Sequence, residues 1–327
     1  AEAVPASVLR RNYQFAFPAE FTPQIQAQAR PDPRSVVFGG FLSPHFGHFL
    51  LEGLAKTWYA KLHPELPIAW AWKQDEPDPG YQPWQQKLLE IVGITNEPVF
   101  VAEPTRFAQV VVPKSGYRIK TFFHPQHAQH LAVYPARARD PNLRLWLSRS
   151  LFDGGVRHAP RLEAELAAAG WDVIYPETLP LDEQLRLLAT ASWIAGDEGS
   201  AFHLLALLAD LQGVRVDIFS RHPDRPIKKQ NLNYQTIADV RGIDQRLHLM
   251  PEEVLITSKV AKVTKLATTL AGYREILDLP TPPAPRPASS AGAALALERV
   301  RSSAAGSLLE LTDRAPLATA LSMPSRE

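Results

Sequence analysis

From Ser35 onward the chain alternates short apolar runs with longer stretches in which apolar residues recur every three or four positions. Residues 35–38 read as a strand stopped at Gly39-Gly40. Residues 46–62 read as a helix, with Phe49, Leu50, Leu54, Trp58 and Leu62 near helical spacing. The pattern then predicts a strand over 67–72, a helix over 84–92 and strands over 98–101 and 109–112. A His- and Pro-containing segment, 124–140, ends like a linker, after which the alternation restarts. It gives a strand at 143–147, a helix at 161–169 closed by Gly170, a strand at 172–175, a helix at 181–189, a strand at 192–195, a helix over 201–211 and a strand at 214–219. Strands interleaved with helices predict an α/β chain of parallel βαβ units.

This pattern divides the chain. Residues 1–34, with Pro5, Pro18, Pro23, Pro31 and Pro33 and no clear period, form a lead-in; 35–140 form one Rossmann-like doubly wound domain and 141–279 a second, with a ligand cleft between them at the strand ends. Within the second, 231–250 take no assignment, and Val254, Leu255, Val260, Val263, Leu266 and Leu270 predict one or two closing helices. The Pro/Ala/Ser-rich remainder, 280–327, reads as a disordered tail with a weak helix around 293–300.

Composition narrows the function. At 327 residues, 45% hydrophobic and 9% aromatic, the chain has material for two cores. Lys plus Arg number 35 against 34 for Asp plus Glu, so no overall field draws it to nucleic acid or to an anionic membrane, and any anion site must be local. Without Cys there is no disulfide, thiolate metal site or Cys nucleophile. No apolar leader or membrane-length run occurs, so the expectation is a soluble cytoplasmic protein, in which peripheral membrane association remains compatible.

Three stretches can carry chemistry. In GDEGSAFH, Gly196 to His203, an apolar strand runs into a Gly-flanked acidic turn and a helix. Such a turn aims backbone N–H groups and a helix N-terminus at an anion such as a sugar nucleotide. Gly199 and Ser200 suit phosphate and Glu198 suits ribose or sugar hydroxyls, with His203 beside them; the same pattern also serves as a tight turn plus N-cap. In SPHFGHFLLEGLAKTW, His48 and Glu52 fall four apart on one helix face, with His45 close by. An imidazole held by a carboxylate is a general base near neutral pH, whereas the plainer alternative is one capping and one packing His. In WLSRSLFDGGVRH, Arg149 and Arg157 flank Gly154-Gly155, suited to a diphosphate or equally to a solvated loop. His124, His127 and His130 recur every third residue without an acidic partner, which favours a polar loop or helix surface over a metal face. Trp70, Trp72 and Trp84 fit a core or a cleft wall.

The order of these pieces resembles glycosyltransferase family 61. HFGHFLLEGLAKTW is similar to the family's early His-containing helix, and LRLWLSRS with Arg157 to its Arg stretch. GWDVIYPETLPLDEQLRLLATASWIAGDEGSAFHLLAL follows its pattern of Gly-aromatic, strand, Pro-Glu, a Glu-Gln pair, helix, strand and Gly-x-x-Gly-Ser/Ala. The likeness covers roughly 35–220. Glu198 stands where many members carry His, and His158-Ala159-Pro160-Arg161 where an Asn-Glu pair follows the second Arg.

The resemblance implies a GT-B architecture of two Rossmann-like domains. It also implies an inverting transfer, independent of metal or other cofactor, from a nucleotide sugar, with a UDP-sugar the expected donor. The acceptor would be a glycan or glycolipid of bacterial surface polysaccharide or capsule. His48, with His45 its rival and Glu52 its orienter, would be the base. Arg149, Arg157, Gly199 and Ser200 would contact diphosphate, and Glu198 and His203 would complete the donor site. The alternatives are a nucleotide-sugar epimerase of the same architecture and a non-catalytic binding module of a polysaccharide assembly complex.

Overall fold

Gly39 and Gly40 do not stop the first long strand, which runs on to Phe41; Gly39 instead lets the next strand press close, since a Cβ there would lie 2.9 Å from the Trp70 ring. The computed structural model describes residues 9–11, 14–16, 27–71, 80–151, 159–220, 232–249 and 266–280. Arg157, Trp72, residues 251–265 and nearly all of the expected tail therefore lie outside the described residues.

A hairpin of β1 (Leu9–Arg11) and β2 (Gln14–Ala16) precedes β3 (Arg30–Phe41). This strand starts inside the expected lead-in. With β4 (Ile68–Ala71), β5 (Pro98–Val101) and β6 (Thr105–Val111) it makes a parallel sheet in the order β5-β4-β3-β6. A second parallel sheet contains β9 (Asp140–Leu147), β10 (Asp172–Ile174), β11 (Ala191–Asp197), β12 (Arg215–Ser220) and β13 (Asp244–Leu249) in the order β10-β9-β11-β12-β13. Between the two sheets in sequence lies a short hairpin, β7 (Tyr117–Arg118) with β8 (Phe122–Phe123). Both main sheets belong to one compact unit ending at Leu279. Parallel sheets flanked by helices are the α/β arrangement compatible with Rossmann-like halves.

Strand alternation places the core. In β9, Leu145 and Leu147 face one cluster while Trp146 between them faces another; Val216 and Ile218 oppose Phe219 in the same way on β12. The larger cluster is continuous from Val37, Trp70 and Leu88 of the first half to Ile194 and Val216 of the second. The opposite face of the second sheet is covered by two helices, one over Ala159–Ala168 carrying Leu162 and Leu166 and one over Leu266–Ile276 carrying Leu270 and Tyr273. Both faces are therefore buried, as a parallel sheet requires. Each fully buried Leu or Phe contributes about 2 kcal/mol.

Four corrections to the expected elements have physical causes. The helix expected over 46–62 is instead a chain of turns: α1 (Phe46–His48), a π-helical turn (Phe49–Gly53), a 3-10 turn (Leu54–Lys56) and α2 (Thr57–Leu62). Gly53 permits the wide turn, since a Cβ there would meet the Phe49 ring at 2.8 Å. The helix expected over 201–211 is a 3-10 helix, Ser200–Leu207, after which Leu208 bridges Tyr134. Its residues Phe202 to Leu207 are all buried, so tertiary packing overrides the α period.

Segment 124–140 contains a helix, α4 (Pro125–Leu131), numbered after α3 (Pro83–Val92), and is bound to the second sheet. The Arg139 guanidinium donates to the carbonyls of Ala191 (2.7 Å), Gln212 (2.8 Å) and Asp210 (3.0 Å). Residues 231–250 carry a helix, Leu232–Arg241, and β13. Among the described residues no helix is long and apolar enough to cross a membrane.

Candidate active site

The carboxyl ends of β3, β9 and β11 lead into one region, where open α/β sheets bind ligands. After β3, the loop from Leu42 to His45 is held by α3: the Gln85 amide donates to Ser43 O at 2.8 Å, and the Ser43 hydroxyl accepts the His45 N–H at 3.2 Å. Gln85 is itself fixed because its Oε1 closes a reciprocal cap on Gln82 (2.8 Å). The rigid loop sets the start of α1 and with it the two histidines.

His48 and Glu52 lie across the π turn, with Nδ1 and Oε2 2.7 Å apart. Both are partly exposed, at 19% and 27%, while Phe49, Leu50 and Leu51 between them are buried. The turn therefore presents a polar pair on an otherwise apolar element. The His45 ring lies 4.9 Å from that of His48.

On the other side, β11 ends in Asp197, and Glu198-Gly199 turn the chain into the 3-10 helix. The Glu198 N–H is bonded to Phe219 O (2.8 Å), and its carboxylate accepts from the Ser220 hydroxyl (3.0 Å). Gly199 O accepts from Tyr234 (3.1 Å). Gly199 also allows a close approach, since a Cβ there would stand 2.6 Å from Arg149 Nη1. Gly47 does the same for α1: a Cβ there would meet Ser200 Cβ at 2.9 Å and His203 Nδ1 at 3.3 Å. The two halves therefore touch through glycines at the site.

Two cavities of about 490 Å³ each meet at this contact, sharing Phe46, Arg149, Gly199 and Ser200 as lining. One has largely apolar walls, with Trp84, Pro176, Leu179, Leu181 and Phe202, and polar groups from Ser148, Glu177, Gln184, Lys87 and Asp197. The other is the more polar of the two, lined by His45, His48, Glu52, Glu198, His203 and Tyr234 among others. His203 is buried, its two ring nitrogens have no hydrogen-bond partner among the described residues, and burial, then the neighbouring His48 and His45, push its pKa down to about 3. It is a neutral imidazole at ordinary pH.

The structure thus brings together His45, His48, Glu52, Arg149, Glu198, Gly199, Ser200 and His203 from three distant stretches of sequence, whereas Arg157 lies outside the described residues. Glu198 faces the histidine side only. Sequence reading missed Asp197, whose carboxylate accepts from the buried Tyr273 hydroxyl at 2.8 Å, and Tyr117, Asn233 and Tyr234, which wall the polar cavity. Asp197 lies within a motif already singled out and was discoverable; Tyr117 and the 233–234 pair came from stretches without any signal. Trp84, expected as core or cleft wall, lines the apolar cavity.

The histidines at 124, 127 and 130 are elsewhere. His127 packs edge-on against Phe123, and His130 stacks on His127 and bonds Thr57 (3.1 Å). Among the described residues no group of three or more His, Cys, Asp or Glu could hold a metal ion.

No curated protein matches the chain. The family model described as Glycosyltransferase 61 matches residues 46–214, just over half of the chain. That span starts at the first residue of α1, one position after His45, and ends just before β12, and so takes in His48, Glu52, Arg149 and the whole 197–203 turn. The chain belongs to glycosyltransferase family 61 and is a glycosyltransferase.

Proposed function

We propose that the protein transfers a sugar, with inversion and without a metal, from a nucleotide sugar to a hydroxyl of a glycan or glycolipid acceptor. The observation that carries this reading is the meeting of the apolar and polar cavities at Arg149, Gly199 and Ser200. The nucleoside lies in the apolar cavity beside Trp84 and Phe202, and the diphosphate crosses the junction under the Arg149 guanidinium and the N-terminus of the 3-10 helix. The sugar then projects into the polar cavity, where Glu198 and His203 meet its hydroxyls and the acceptor enters beside His48. The donor is a UDP-sugar, and the two halves, 35–140 on the acceptor side and 141–279 on the donor side, work as a GT-B pair. The product belongs to surface polysaccharide, assembled in the bacterial cytoplasm.

Chemistry follows from the tautomer. Nδ1–H of His48 donates to Glu52, which leaves the lone pair on Nε2. Nε2 takes the acceptor hydroxyl proton as the oxygen bonds to the anomeric carbon. The carbon–phosphate oxygen bond breaks on the opposite face, and its electron pair leaves with the diphosphate, whose charge Arg149 and the turn amides stabilise. Carboxylate-bound imidazole suits this step because Glu52 stabilises the imidazolium that forms.

Thermal shift against UDP-, GDP-, CMP- and dTDP-sugars tests the donor, since a ligand of the folded state raises its stability with occupancy. A shift with UDP-sugars, and product of inverted anomeric configuration by NMR once acceptor is added, is the expected result. No shift with any nucleotide sugar would contradict it. Conversion of the donor without acceptor would point to epimerisation instead.

A further inference from the structure

Glu163 is a buried carboxylate, 8% exposed, on the inner side of the helix Ala159–Ala168, outside both cavities. Among the described residues its partners are three hydroxyls rather than a cation. Ser148 donates to Oε1 at 2.6 Å; Tyr175 and Ser150 donate to Oε2 at 3.0 and 3.3 Å. Burying a carboxylate is costly unless its oxygens are satisfied, and hydroxyl donors aimed at it meet that need.

What these three hydroxyls have in common is their position. Ser148 and Ser150 flank Arg149, in the turn that leaves β9. The Ser148 hydroxyl also accepts the Ser150 N–H at 3.0 Å, and the Ser148 N–H is anchored on Ile174 O at 2.9 Å, so the turn is closed from within and tied to β10. Tyr175 directly follows β10 and precedes Pro176 and Glu177, which wall the apolar cavity. Burial and then Glu163 raise the Tyr175 pKa, so its hydroxyl stays a donor at neutral pH. One carboxylate therefore fastens both chain segments that rim the proposed nucleotide cavity.

We propose that Glu163 is a positioning residue that sets Arg149 for the donor diphosphate. It rests on the reading of Arg149 given above. With both neighbours of Arg149 bonded to one rigid acceptor, the direction in which its side chain leaves the turn is fixed, and the guanidinium lies in the space that Gly199 leaves open. Without Glu163, the hydroxyls of Ser148 and Ser150 lose their shared acceptor, the turn loosens, and Arg149 spends only part of its time over the junction. Such an effect passes entirely through Arg149, which makes it separable from a general loss of packing.

The test is the affinity of the full chain for UDP, measured by calorimetry for Arg149→Ala, Glu163→Ala and the double variant, with each melting temperature recorded. Arg149→Ala and Glu163→Ala should each weaken binding about tenfold, and the double variant no more than Arg149→Ala alone to within about twofold. Glu163→Gln, which keeps an acceptor for Ser148, should fall between Glu163→Ala and the parent and serves the same comparison if Glu163→Ala does not fold. If Arg149→Ala weakens UDP binding while the Glu163 variants leave it intact, or if the two effects add in full, Glu163 has no such role and the donor reading stands. If Arg149→Ala leaves UDP binding unchanged, the donor reading fails and the role of Glu163 fails with it.

Discussion

Nδ1 of His48 lies 2.7 Å from Oε2 of Glu52 across a π-helical turn that Gly53 permits. In a regular α-helix the same two residues would still share a face, but the wider turn lets Phe49, Leu50 and Leu51 bury while the pair stays at the cavity wall. In the proposed mechanism Nε2 of His48 is the nitrogen that takes the proton.

Replacing Glu52 by Gln keeps the shape and removes the charge that stabilises a protonated His48. Turnover should fall by about one to two orders of magnitude with nucleotide affinity unchanged. Steady-state rates beside calorimetric binding check it, and a variant as fast as the parent would show that Glu52 does not orient the base.

Gly199 is extended, at φ −168°, a conformation open to any residue, so the space it leaves matters rather than its backbone freedom. Gly199→Ala places a methyl 2.6 Å from Arg149 Nη1, the movable end of a long side chain. The fold should survive with little change in melting temperature, while binding of a nucleoside diphosphate weakens about tenfold as the guanidinium is displaced. Gly47→Ala differs, because its methyl meets Ser200 Cβ at 2.9 Å, an atom attached directly to backbone. It should cost roughly 1–3 kcal/mol of stability, read from urea midpoints.

Three histidines, His127 and His203 buried and His130 partly so, tie stability to pH. Burial first, and neighbouring positive charge second, lowers His127 and His203 to about 3 and His130 to about 4, against 6.5 for the free side chain. The unfolded chain takes up these protons as pH falls through 6.5, whereas the folded chain does not until near pH 3–4. Their stabilising contribution is therefore complete above pH 6.5 and declines below it, by at most about 1.4 kcal/mol per pH unit for each histidine. Urea unfolding at pH 7.5 and 5 should show a clearly lower midpoint at pH 5, and His127→Leu should flatten that slope; equal midpoints in the parent would contradict the burial account.

Much of the strand layout was legible because parallel strands buried on both faces write themselves as apolar runs: β5 and the 181–190 helix fall within a residue of the expected bounds. The departures come from tertiary packing. Residues 201–207 are apolar on every side, so no period marks them as 3-10, and Gly53 reads locally as an ordinary helical residue although it admits a π turn. For the site, His48–Glu52 was visible as an i, i+4 pair, and the 199–200 turn as a Gly-Ser motif. Their convergence was not, since the contact of Gly47 with Ser200, 153 positions further along the chain, is set by the docking of one half on the other. Glu163 escaped notice for a related reason: on a helix it reads as a solvated acid, and only its three hydroxyl partners, from the segments that follow β9 and β10, reveal what it holds.

The central claim is that His48 removes the acceptor proton while the nucleotide is held elsewhere. The most direct measurement is His48→Ala, assayed for sugar transfer and, in the same preparation, for nucleotide binding by calorimetry. Transfer should drop by at least about a hundredfold with the dissociation constant within about twofold of the parent. Full turnover in His48→Ala would contradict the assignment, and loss of nucleotide binding together with turnover would move His48 from proton transfer to donor recognition.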